Sequence, residues 1–230
     1  MRVGWPSWTQ YSRWPMLSSL FLLLAGCGLS GGSIPVGDQD IRGLVVRADD
    51  PSRGVEGATV VAVFPSLGAR KYKASSDQKG EFSLIAVPLA DCLMTVEPPP
   101  GTDLSSLSFT IYKPRFLSRA RGERFQTFVL VPLLRRGQPA PSPPSQIGPP
   151  HLEAKVGDTL PLSIKPQIEE GRYPVWVVKG GIGIIDVHGR FTALREGEGE
   201  IAAVVGRTEI SIHVVVREDP STSSGPNHSR

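Results

Sequence analysis

Between residues 40 and 135 no stretch long enough to make a helix repeats its apolar residues every 3.6 positions. The apolar residues fall instead into short runs with a period of two. Ile210, Ile212, Val214 and Val216 point one way along such a run, and Ser211 and His213 point the other. Ala58, Val60, Ala62 and Phe64 alternate in the same manner with Thr59, Val61 and Val63. Successive side chains of a strand lie on opposite faces, so this pattern specifies strands with one buried side. With 25 glycines and 22 prolines the chain has ample material for turns between them. The expected fold class is therefore all-β, with strands packed as β-sandwiches.

Between Arg135 and His151 the sequence reads RRGQPAPSPPSQIGPPH. Proline removes amide donors and fixes φ, so such a run favours extended geometry and acts as a stiff spacer. It divides the chain into a first module, 40–135, a Pro-rich linker, 136–150, and a second module, 151–217, each within the usual size of a small domain. The first predicts strands near 41–47, 57–64, 70–76, 80–86, 92–97, 106–112 and 124–131. The second predicts them near 159–164, 174–178, 182–187, 190–195, 200–205 and 209–216. Residues 218–230 (EDPSTSSGPNHSR) have nothing to bury and read as a disordered tail.

The N-terminus carries an address. Residues 1–15 contain two arginines and no acid, and Met16 to Ala25 supply a leucine-dominated core too short to span a bilayer, which takes about 20 residues. Leu24-Ala25-Gly26-Cys27 resembles the lipobox of bacterial lipoproteins. That resemblance implies a signal peptide over 1–26, cleavage between Gly26 and Cys27, and lipidation of Cys27. The other reading is an ordinary secretory signal with an incidental cysteine. The Gly/Ser-rich segment that follows favours the first, because a lipid-anchored domain needs the slack that residues 27–39 provide. Gly28 is not aspartate, which by the sorting habit of lipoproteins implies the outer membrane where the organism has one. Several acyl chains make such an anchor effectively permanent.

Both modules resemble known families. Ile41-x-Gly43-x-Val45, Gly54-Val55-x-Gly57-Ala58-x-Val60, Ser76-Asp77-x-x-Gly80-x-Phe82 and Val87-Pro88 are similar to the carboxypeptidase regulatory-like domain. The resemblance implies a seven-stranded, transthyretin-like sandwich. Ala90 and Cys92 stand where that family usually has Gly-x-Tyr. Val156-Gly157-Asp158-x-Leu160-x-Leu162, Val175-Trp176, Ile185-Asp186-x-x-Gly189-x-Phe191-Thr192-Ala193 and Gly199-x-Ile201 resemble the bacterial Ig-like group 2 domain. Here Val177-Val178-Lys179-Gly180-Gly181 replaces the polar run usual after the tryptophan. The fold expected overall is two Ig-like or transthyretin-like sandwiches joined by the linker. Cys92 alternates with Met94 and Val96 and reads as a buried thiol, and Trp176 reads as a core residue.

Catalytic chemistry is sparse. His151, His188, His213 and His228 have no HExxH or other paired spacing, so no metal site is expected. Gly180-Gly181-Ile182-Gly183 lacks the Lys-Ser/Thr of a P-loop. No Gly-x-Ser-x-Gly elbow occurs, and Asp49-Asp50 and Glu169-Glu170 read as solvated loops. Neither an enzyme nor a cofactor is expected. Arg2 and Arg13 precede Cys27 and no acid does, so of 25 basic and 22 acidic residues the chain from Cys27 onward keeps 23 and 22, a balance of +1. That argues against a nucleic-acid partner.

One patch stands out: Lys113, Arg115, Arg119, Arg121 and Arg124 lie between two predicted strands with a single acid among them. Such a loop suits an anionic or partner surface, and equally a solvated hairpin. The expected protein is an envelope lipoprotein held to the membrane by its lipid, binding or scaffolding a protein or glycan, with sheet-edge addition as one physical route. The rival expectation is an accessory subunit that positions a separate enzyme or transporter on polysaccharide or peptide.

Overall fold

The computed structural model describes residues 38–115 and 124–218. Gly26, Cys27, Arg119 and Arg121 lie outside them. The described chain is all-β, as the periodicity predicts, with one short 3-10 turn, Pro65–Leu67. No helix among the described residues is long and apolar enough to cross a membrane.

In chain order the first half forms β1 (Asp38–Arg47), β2 (Thr59–Phe64), β3 (Arg70–Ser75), β4 (Glu81–Pro88), β5 (Cys92–Glu97), β6 (Leu107–Ile111) and β7 (Phe125–Leu133). The second forms β8 (Gln146–Gly148), β9 (His151–Lys155), β10 (Thr159–Pro161), β11 (Ser163–Lys165), β12 (Val175–Lys179), β13 (Gly183–Ile185), β14 (Arg190–Ala193), β15 (Gly197–Val205) and β16 (Thr208–Arg217). β8 falls in the Pro-rich linker, where the composition predicts no strand, and β9 at the start of the second module, ahead of the first strand predicted there. Ile147 of β8 stands opposite Ile164 of β11, and β9 runs parallel to β16.

Strands from both halves belong to one seven-stranded sheet in the order β4-β1-β7-β12-β15-β16-β9. Although the sequence divides at 136–150, the hydrogen-bonded ladder continues across that division, because the free edge of β7 pairs with β12. Trp176 faces Leu130 and Val177 faces Val129 in this antiparallel register.

The long sheet is a middle layer. On one side it shares a core with the four-stranded sheet β3-β2-β5-β6, and Val175, Val177, Ala202 and Val204 from the second half join Ile41, Phe64, Met94 and Phe109 there. On the other side Leu130, Trp176, Val178, Ile201 and Ala203 meet Phe191 and Ile185 of β10-β14-β13 and Ile147 of β8. Strands buried on both faces lose their alternation, which is why β12 reads as a continuous apolar run ending in a lysine.

The same Asp-x-x-Gly turn occurs in each half. Between β13 and β14 it closes a hairpin, whereas between β3 and β4, where the sequence also reads as a hairpin turn, it carries the chain from the four-stranded sheet to the seven-stranded one. Asp77 Oδ1 accepts the amides of Lys79 and Glu81, and Asp186 Oδ1 accepts those of His188 and Arg190. Gly80 and Gly189 follow at φ +83° and +78°, a conformation that suits glycine. At Gly80 a Cβ would also lie 2.2 Å from the Val45 carbonyl oxygen, so no other residue fits without a shift.

Candidate functional site

Across the middle sheet, register aligns a row of polar residues that are far apart in sequence. Thr127 of β7 stands opposite Lys179 of β12, Lys179 opposite Glu200 of β15, Glu200 opposite His213 of β16, and His213 opposite His151 of β9. The row lies on the face that carries Val177 and Ala202, at the end where that apolar surface stops.

At its centre is a buried charge cluster. Lys179 Nζ lies 3.3 Å from Glu200 Oε2 and 2.9 Å from Glu209 Oε1, with the side chains of Lys179 and Glu200 each 1% exposed. Removing charges from water costs several kcal/mol per ion, so such a group persists only when its remaining valences are satisfied. The chain after β6 contributes. The Arg115 amide donates to Glu200 Oε1 at 2.5 Å, and the Tyr112 amide to Glu209 Oε2 at 3.4 Å. Tyr112 also donates its hydroxyl to the Arg207 carbonyl at 3.0 Å, and the Lys113 amide donates to Asp91 Oδ1 at 2.8 Å. Three carboxylates therefore hold the root of the basic loop through its backbone, which leaves the cationic side chains uncommitted to that task.

The far root is held differently. Arg124 lies 3.5 Å from Asp40, whose Oδ1 also accepts the Ala86 amide at 2.9 Å. Of the five cations, Lys113, Arg115 and Arg124 are thus placed at the two ends of the loop, with Lys113 and Arg115 exposed. Thr127 donates to Gln39 Oε1 at 3.0 Å, and Gln39 Nε2 donates to the Pro88 carbonyl at 3.0 Å, which ties the end of the row to β1 and β4.

Cys92 sits in the core beside this cluster, fully buried. Burial, reinforced by the nearby Asp91 charge, pushes its thiol up to about 12, against the opposing pull of Lys179 and a hydrogen bond from the Ile111 backbone. The thiol is therefore protonated and unreactive at neutral pH. Trp176 is fully buried and donates Nε1 to the Val187 carbonyl at 3.2 Å. Asp49, read from sequence as solvated, belongs to a network. Arg47 grips both Asp49 and Asp103 in paired hydrogen bonds of 3.0 and 3.2 Å, and Arg135 Nε reaches Asp49 at 2.6 Å. The Arg47 hydrogen bonds hold both carboxyls below the usual carboxylate range and raise the guanidinium.

Lys179, Glu200 and Glu209 were not legible as a set. Each borders an apolar run, where a charge normally ends a strand in solvent, and only the cross-strand register brings them together. Two histidine contacts are likewise non-local: His188, in the β13–β14 turn, lies edge-on to Tyr173 with ring centres 5.3 Å apart, and His151 neighbours His213 across β9 and β16. Among the described residues no group of three or more His, Cys, Asp or Glu side chains is arranged to hold a metal ion.

No family model matches the chain, and no curated protein matches it. Among solved structures it is similar to the Bacillus anthracis TIE protein, at 12% identity and a TM-score of 0.34, over 80% of this chain and 34% of that one. The chain thus spans about a third of that protein's length.

Proposed function

We propose that this is a membrane-anchored envelope lipoprotein whose β body binds or scaffolds a partner without catalysing a reaction. One observation carries the reading. The sequence Leu24-Ala25-Gly26-Cys27 is followed by a Gly/Ser-rich stretch, and the compact body begins immediately after it, at Asp38. A lipid on Cys27 would hold that body at a bilayer surface through a short slack segment. The arrangement of β4-β1-β7 facing β3-β2-β5-β6 supports a transthyretin-like reading of the first half, and the burial of Trp176 supports an Ig-like reading of the second.

The binding role draws on the basic loop. Its described roots are held by carboxylates, at Tyr112 and Arg115 by Glu209 and Glu200 and at Arg124 by Asp40, and Lys113 and Arg115 are exposed there; with Arg119 and Arg121 in the intervening sequence, these cations suit an anionic partner surface. Mass spectrometry of protein extracted from bacterial membranes tests the anchor. The expected mature chain begins at Cys27 and carries acyl mass there, and Cys27→Ala abolishes both. A mature wild-type chain without acyl mass would contradict the proposal and leave a secreted binder.

A further inference from the structure

His151 and His213 are separated by 62 positions and meet because β9 runs parallel to β16 in a register that sets one opposite the other. Their Nδ1 atoms face each other at 3.3 Å, their ring centres are 5.2 Å apart, and their planes are inclined by 33°. These distances have a simple geometric meaning. Two imidazole nitrogens each about 2.05 Å from one ion, at the tetrahedral angle, lie about 3.3 Å apart, with ring centres about 5.2 Å apart.

The second nitrogen of each ring lies near a carboxylate. Nε2 of His151 lies 3.5 Å from Glu153 Oε1, and Nε2 of His213 lies 3.8 Å from Glu198 Oε2. A carboxylate favours the proton on the ring nitrogen that faces it, which suits Nδ1 of each ring to act as the ligand once a cation is bound. Without a cation the two Nδ1 atoms are within hydrogen-bond distance, one donating to the other according to tautomer, and a cation placed between them takes the place of that proton. With side chains 49% and 23% exposed, the pair is open to ions from solvent.

The geometry points to a binding site for a divalent transition cation of the zinc class, ligated by Nδ1 of His151 and Nδ1 of His213 and oriented by Glu153 and Glu198. Neutral imidazole suits this class of ion, and water completes the shell. The site is independent of the lipid anchor and lies on β9, an outer edge of the middle sheet.

Isothermal titration of the full, untagged chain in detergent with zinc chloride alone tests it. One zinc per chain is expected. His151→Gln and His213→Gln each abolish the binding, His188→Gln leaves it unchanged, and Glu153→Gln or Glu198→Gln weakens it about 10- to 100-fold. An unaltered circular dichroism spectrum verifies that each variant is folded. A second measurement needs no variant: zinc should move the Nδ1 nitrogen resonances of two histidines in the wild-type chain and leave the other two in place. Absence of zinc binding, binding that survives both His→Gln changes, or resonances of other histidines moving instead would overturn the proposal.

Discussion

The middle layer and the outer sheets are built from the same residue types under opposite constraints. In β2, an outer strand, buried and half-buried positions alternate strictly, so each side chain has one permitted character. In β12, every residue from Val175 to Lys179 is buried, because both faces are covered. An outer strand thus tolerates polar change on one side, whereas a middle strand admits a charge only inside a satisfied cluster. Lys179 shows this: it ends an otherwise apolar strand and remains buried because Glu200 and Glu209 receive it.

Substitutions along β12 and β2 would break this contrast or sharpen it. Val177→Asp places an unpaired carboxylate between two packed sheets, and the expected outcome is no folded protein by circular dichroism. Next in size is Lys179→Met, which strands two buried carboxylates and should lower unfolding free energy by about 3–5 kcal/mol in urea titration. Adding Glu200→Gln and Glu209→Gln should restore part of that loss. The paired turns come next: Asp77→Ala and Asp186→Ala each remove side-chain bonds to two amides and should each destabilise by about 1–2 kcal/mol. Asp186 also accepts from Arg190 Nε at 2.8 Å, so Asp186→Ala should cost slightly more, and a larger loss at Asp77 would contradict this comparison. Smallest is Val61→Thr, half-exposed on β2, expected to change stability by no more than about 0.5 kcal/mol.

The Arg47 network adds a dependence on pH. Asp49 and Asp103 have carboxyl groups held below their ordinary range by the Arg47 hydrogen bonds. A depressed carboxyl contributes stability that is fully present above the unfolded value of about 3.9 and is lost as pH falls through the lower folded value. Melting temperature measured on acidification should therefore fall less steeply in Arg47→Gln than in the wild type.

Much of the fold was legible locally. The alternation of Ala58 to Phe64 and of Ile210 to Val216 announces strands with one buried face, and Asp77-x-x-Gly80 and Asp186-x-x-Gly189 announce their turns. Cys92 and Trp176 lie in the core as their neighbours predict. The joining of the two halves was harder to see, because the pairing of β7 with β12 links segments separated by the whole Pro-rich stretch. A clue existed in Val175–Val178 and Ile201–Val205, whose unbroken apolar character signals burial on both sides. The polar row from Thr127 to His151 had no local signal, since its members share only a register. β8 was hidden by the surrounding prolines, and β9 by its short, polar-rich sequence, His151–Lys155.

The central claim is that one sheet couples two cores, and each core carries its own reporter. From Cys27 onward Trp176 is the only tryptophan, and it lies in the core shared with β13 and β14; Cys92, in the other core, is the only free thiol among the described residues. Urea unfolding of residues 28–230 followed by Trp176 fluorescence and by Cys92 thiol labelling tests the coupling most directly. Coincident midpoints are predicted, because exposing either core breaks strands that line the other. Two transitions, with Cys92 labelled while Trp176 stays buried or the reverse, would contradict the account and restore two independent modules.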